Sequence, residues 1–92
     1  MLLARSKHMI LDHKPVLSLE ETGKNIKRLR IERGISVKEL QEILGFDNPQ
    51  AIYNWERGRN MPSIDNLLIL SQIFEVSINT IVGTYLQDEL PA

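Results

Sequence analysis

The sequence predicts an all-α domain of five short helices. Three observations carry that prediction: helix-start signals recur along the chain, apolar residues repeat at helical spacing between them, and glycines stand where the repeats break off. Ser18-Leu19-Glu20-Glu21 offers a capping box, so a first helix begins near Leu19 with Leu19, Ile26 and Leu29 facing inward, and Gly34 ends it. Ser36-Val37-Lys38-Glu39 is a second box. It opens a helix from about Val37 to Leu44, in which Val37, Leu40, Ile43 and Leu44 share a face, and Gly45 supplies the left-handed stop. After a short turn, the capping amide of Asn48 precedes Pro49, a residue suited to the first helical position, and a third helix follows over residues 48–57. Pro62 and Ser63 start a fourth, through Phe74. Its Ile64, Leu67, Leu68, Ile69, Leu70, Ile73 and Phe74 leave little polar surface, the pattern of a helix that is central or covered by a partner. Ser77 caps a fifth, where Ile78, Ile81, Val82, Tyr85 and Leu86 form one stripe that can finish the core, meet a second subunit, or do both.

The third helix sorts its residues into two faces. Ile52 and Trp55, three apart, point one way, while Gln50, Tyr53, Asn54 and Arg57 point the other. Two amides, a phenol and a guanidinium are side chains that read base edges and hold phosphates in a major groove. Two short helices joined by a tight turn form the unit whose second helix enters DNA. On that reading Gln50 and Asn54, four residues apart, are base contacts, each able to pair with adenine N6 and N7, although each is also compatible with an ordinary solvated polar residue. Ala51 can touch a thymine methyl or be half-buried against the second helix. Tyr53 can donate to a phosphate or pack on the turn. Asn48 caps the helix and leaves its N-terminus aimed at a backbone phosphate, and Arg57, Arg59 and Asn60 around Gly58 make a phosphate clamp.

Several of these segments, in order, resemble the lambda-repressor-like or Xre-type helix-turn-helix regulators of phages and bacteria. The carriers are Ile26-Lys27-Arg28-Leu29-Arg30, Arg33-Gly34-Ile35-Ser36, Glu39-Leu40, Leu44-Gly45, Trp55-Glu56-Arg57-Gly58, Pro62-Ser63-Ile64, Leu67-Leu68 and Val76-Ser77-Ile78, within Gly23 to about Gly83. The resemblance implies a compact five-helix domain, sequence-specific binding of double-stranded DNA, a homodimer on a palindromic operator, and transcription regulation, with repression favoured. It implies an Arg30–Glu56 structural ion pair and a core that includes Ile26, Leu29, Leu40, Leu44, Ile52, Trp55, Leu67 and Leu68. The chain departs from the family pattern twice: the turn Phe46-Asp47-Asn48 carries an extra residue, and Gln41 stands where the family usually has Ala. Together these would open the angle between the second and third helices.

Length and composition fit one small domain. Ninety-two residues at 42% apolar content supply a single core, here divided into an N-terminal extension or tail over 1–17, the domain over 18–86, and a C-terminal tail over 87–92. The chain has no cysteine, which removes disulfides, thiolate catalysis and thiolate metal sites. His8 and His13 join no acid cluster at a ligand spacing, so neither metal nor cofactor is expected. No phosphate-binding glycine loop and no nucleophile with a base are present, and an enzyme is not expected. A membrane span and a signal-peptide core are both missing from the pattern, which leaves a cytoplasmic location. The net charge of −1 hides an asymmetry: residues 23–60 hold eight Lys or Arg against five acids, a net of +3, while residues 61–92 hold four acids and no base, a net of −4. That division suits one-sided docking on DNA, and it is equally what solvated helix faces produce. Two other functions share the pattern: an antitoxin-type autorepressor that also holds a toxin, and a protein-interaction module on the same fold.

Overall fold

The computed structural model describes residues 13–88 and contains five helices and two strands. In chain order these are β1 (His13–Ser18), α1 (Leu19–Glu32), α2 (Val37–Leu44), α3 (Gln50–Glu56), α4 (Ile64–Phe74), α5 (Ile78–Ile81) and β2 (Gly83–Asp88). α1, α2 and α4 each start on an N-cap serine whose oxygen satisfies an otherwise unpaired backbone N–H. The N-cap of α3 is Pro49 rather than Asn48 as expected, and Asn48 serves the first helical N–H from one residue further back. Ser18 Oγ accepts from Glu21 N at 3.0 Å, Asn48 Oδ1 from Gln50 N at 3.0 Å and Ser63 Oγ from Asn66 N at 3.1 Å. At α2 the box closes in both directions, with Glu39 N donating to Ser36 Oγ at 3.0 Å and Ser36 N to Glu39 Oε1 at 2.8 Å.

α2 stops because Gly45 turns left-handed, at φ 73°, so that its own N–H reaches Glu42 O and the next, Phe46 N–H, reaches Gln41 O. α4 ends in the same conformation at Glu75, φ 57°, the one non-glycine residue with positive φ among those described.

The sheet corrects the all-α expectation. β1 and β2 pair antiparallel, with Ser18 opposite Gly83, Val16 opposite Tyr85 and Lys14 opposite Gln87. Residues 13–17, assigned from sequence to an extension, are therefore part of a strand. The fifth helix is also shorter than its apolar stripe suggests, since the chain is extended by Val82 (ψ 125°) and Tyr85 and Leu86 lie in β2. The cause is a close passage against α1. Gly83 N–H donates to the buried Thr22 Oγ1 at 2.8 Å, and a Cβ on residue 83 would lie within 2.8 Å of Thr22 N and of the Glu21 carbonyl carbon. Asn25 Nδ2 binds the Ile81 carbonyl at 3.0 Å, which finishes the helix at that point.

The core consists of Ile26, Leu29, Leu40, Ile52, Trp55, Leu67, Leu70, Phe74 and Ile81, with Leu44, Ile78 and Val82 partly buried against it. Leu68, expected in the core, is 51% exposed, and Leu19, expected to face inward, is also exposed. α4 buries only the face bearing Leu67, Leu70 and Phe74 and leaves Ile64, Leu68 and Ile69 exposed. Within this chain it is therefore not central, and of the two readings its composition allows, the exposed face leaves cover by a partner. Among the described residues no helix is long and apolar enough to cross a membrane.

Candidate nucleic-acid interface

α3 is held from behind by three contacts, each from a different kind of chemistry. Apolar packing comes first: Ile52 is fully buried, and Trp55, also buried, meets the edge of Phe46 with ring centroids 5.9 Å apart at 69°. Backbone approach comes second. α1 crosses the end of α3 at Gly23, where a Cβ would come within 2.2 Å of the Trp55 carbonyl oxygen, so no side chain fits.

The third contact is ionic. Arg30 Nε donates to Glu56 Oε2 at 2.7 Å, its Nη2 to Oε1 at 3.1 Å, and its Nη1 to the Ile35 carbonyl at 3.1 Å. A planar guanidinium satisfies both carboxylate oxygens and a loop carbonyl at once. The hydrogen bond to Glu56 raises the Arg30 pKa above the ordinary arginine value and outweighs the opposing effect of burial. This pair joins α1 to the C-terminal end of α3.

With its inner face fixed in this way, α3 presents Gln50, Tyr53, Asn54 and Arg57 outward. These four side chains form two couples. Gln50 Nε2 donates to Asn54 Oδ1 at 3.1 Å, and the Arg57 guanidinium lies over the Tyr53 ring, 5.4 Å from its centroid. The amide bond leaves Asn54 Nδ2 and Gln50 Oε1 free, a donor beside an acceptor. Ala51 is half-buried at the edge of an open depression lined by Gly45, Phe46, Asp47 and Asn48.

Past α3 the chain turns at Gly58, φ 74°, against the backbone of Glu20, and the N–H of Arg59 binds the Asn54 carbonyl at 2.8 Å. Arg57, Arg59 and Asn60 flank that turn. Lys24, Arg28, Arg30 and Arg33 each have a carboxylate within 4.0 Å, whereas among the described residues Arg57 and Arg59, like Lys27 and Lys38, have none. The cations of the turn after α3 are thus available to an external anion.

Local sequence patterns do not single out two participants. Thr22 and Gly83 act together across 61 residues, a pairing only the fold creates. Gln41 Nε2 donates to the Phe46 carbonyl at 3.2 Å, so the side chain on α2 braces the turn that follows it. Phe46 stands two positions past the end of α2, where an apolar residue commonly packs at a helix end, and here it meets Trp55 of α3.

The profile of a family described as helix-turn-helix matches residues 26–81. An uncharacterized HTH-type transcriptional regulator, y4dJ of Sinorhizobium fredii, is 38% identical over 55 residues, 60% of this chain and 70% of the relative. The fold is similar to that of the restriction-modification controller protein C.AhdI from Aeromonas hydrophila, with a TM-score of 0.61 at 24% identity, covering 68% of this chain and 94% of that one. It is also similar to the BldD DNA-binding domain of S. venezulae, with a TM-score of 0.61 at 16% identity over 72% of this chain and 97% of that one. The chain belongs to the lambda-repressor-like, Xre-type helix-turn-helix family of DNA-binding transcriptional regulators.

Proposed function

We propose that this protein is a sequence-specific repressor that inserts α3 into the major groove of double-stranded DNA. The observation that carries the proposal is the outer face of α3, where the Gln50–Asn54 couple offers a donor beside an acceptor while the opposite face is locked to α1. Adenine presents the complementary pair in the major groove, N7 as acceptor and N6–H as donor. Gln50 and Asn54 read base edges, and Ala51, at the lip of the depression, meets a thymine methyl. Asn48, Tyr53, Arg57, Arg59 and Asn60 hold the phosphate backbone and set the register without reading sequence. The positive segment 23–60 faces the duplex, and residues 61–88, which carry no Lys or Arg, face away. A homodimer sets two α3 helices about 34 Å apart in successive grooves and blocks access of polymerase to the promoter.

Fluorescence anisotropy on a bound duplex, titrated with salt, separates the two roles. Arg57→Ala and Arg59→Ala are expected to reduce the salt slope by about one each and to weaken binding evenly across sequences; Gln50→Ala and Asn54→Ala are expected to leave the slope unchanged and blunt preference at single positions, at about 1–3 kcal/mol for each good base pairing. Equal effects of all four substitutions on every duplex would overturn this division of labour. Ile64, Leu68 and Ile69, exposed on α4, favour one addition: an autorepressor of the antitoxin type that also holds a protein partner on that face. Loss of a co-purifying partner on Leu68→Lys is the result expected of that addition.

A further inference from the structure

The ribbon of β1 and β2 carries apolar side chains on both of its faces. Cross-strand partners share a face, so Val16 lies with Tyr85 on one side, while Leu17 lies with Leu86, its diagonal neighbour, on the other. Leu17 is 57% exposed, Tyr85 55% and Leu86 67%. A two-stranded sheet is marginal in water by itself, and strands apolar on both sides belong inside a larger assembly.

Among the described residues each strand also has one unpaired edge, with its row of N–H and C=O groups open. The two edges are not equivalent. Pro15 lacks an N–H, so β1 cannot be hydrogen-bonded fully on both sides and belongs at the outside of a sheet. β2 has no proline. Its first residue, Gly83, already gives its N–H to Thr22, which leaves Thr84–Asp88 as the open edge, centred on Leu86.

Charge selects both the direction and the partner. Gly83 to Gln87 is uncharged, and Asp88 follows at one end. A second β2 added in parallel would set like charges side by side; added antiparallel, it sets them at opposite ends. Antiparallel pairing of a strand with its own copy is a two-fold operation, and a two-fold axis normal to the sheet places one residue opposite itself.

We infer that a second copy of this chain adds to the free edge of β2, antiparallel, with Leu86 opposite Leu86 of the other copy. The product is a four-stranded sheet in the order β1-β2-β2-β1, with both Pro15-bearing strands outermost. This rests on the dimeric regulator proposed above and deepens it by naming the seam; the exposed residues of α4 are the rival seam.

The chain has no cysteine, so single substitutions report contacts between copies cleanly. Cα atoms opposite each other in an antiparallel pair are about 4.5–5.5 Å apart, within disulfide reach. Under mild oxidation the full-length Leu86→Cys variant is expected to form a covalent dimer, while Leu68→Cys on α4 stays monomeric. In sedimentation equilibrium Leu86→Lys, which sets two ammonium groups face to face, is expected to weaken dimerisation at least about tenfold. Because Leu86 is exposed in the single chain, its thermal unfolding is expected to match wild type measured below the dimer's dissociation constant. A wild-type chain that remains monomeric at all concentrations overturns the seam, as does a dimer trapped through Leu68→Cys or one untouched by Leu86→Lys. Selection of a duplex site by monomers leaves DNA reading intact and removes the seam. A Leu86-linked dimer that selects no duplex keeps the seam and removes the DNA reading.

Discussion

Replacing Glu56 with alanine removes one member of the Arg30–Glu56 pair and leaves the other charged in the protein interior. The side chains are 11% and 7% exposed, so neither has water to fall back on. Breaking a buried pair from one side costs about 3–5 kcal/mol, because the remaining charge keeps its desolvation penalty and loses its partner. A domain of 92 residues has about 5–14 kcal/mol in total. Glu56→Ala therefore removes a large share of the stability, and a 3 kcal/mol loss alone lowers Tm by about 12–24 °C. Removing both charges at once, as Arg30→Leu with Glu56→Leu, is expected to restore most of the loss, less about 1–3 kcal/mol for the Ile35 carbonyl that Arg30 Nη1 no longer serves.

Urea unfolding followed by tryptophan emission is the appropriate assay, since Trp55 is the single tryptophan, is buried, and adjoins Glu56 in sequence. The pH dependence follows from the direction of the Arg30 shift. A raised folded-state value means that this contribution is fully present below the arginine value of the unfolded chain and is lost only as pH rises through the higher folded one. The difference between wild type and Glu56→Ala is thus flat through neutral and mildly alkaline pH. A loss below about 1 kcal/mol, the magnitude of a solvent-screened surface pair, would refute this account of the buried pair.

Three further substitutions probe the scaffold by the same unfolding assay. Gly23→Ala drives a methyl into the Trp55 carbonyl and is expected to destabilise by about 1–3 kcal/mol despite alanine's better helix propensity; a stabilised variant would mean that α1 and α3 can separate freely. Gln41→Ala releases the Phe46 carbonyl, so a loss of about 0.5–1.5 kcal/mol and faster amide exchange at the turn after α2 are expected. No change in exchange would show that the turn stands without its brace. Glu75→Gly relieves the left-handed backbone at the end of α4 and is expected to stabilise by about 1 kcal/mol, since the Arg33 contact it gives up, at 3.4 Å, is exposed.

Where a signal and its effect lie within a few residues, the sequence reads directly as structure. Ser18, Ser36 with Glu39, Gly45, Asn48 and Ser63 each act on a backbone group no more than three positions away, and the first four helices begin or end beside them. The two faces of α3 follow from the helical period alone, which separates Ile52 and Trp55 from Gln50, Asn54 and Arg57. The sheet follows from nothing local. Ile78, Ile81, Val82, Tyr85 and Leu86 fit one helical stripe, and only the passage of Gly83 against Thr22 and the pairing of Val16 with Tyr85, far apart in the chain, decide otherwise. α4 misleads for a related reason. Its composition is apolar almost all round, but this small fold supplies neighbours for one face, and Leu68 lies on the other. The coupling between Gln41 and the turn was similarly hidden, because Gln41 taken alone reads as an irregularity rather than as half of one contact.

The central claim is that α3 reads base edges through Gln50 and Asn54. Selection of a randomised duplex library near physiological salt, run in parallel with wild type and the Gln50→Ala, Asn54→Ala variant, tests it most directly. The account predicts that wild type enriches a two-fold-symmetric site and that the variant, equally folded by circular dichroism, enriches a blurred one with preference lost at the positions under the two amides. Enrichment of the same sharp site by both proteins would contradict it.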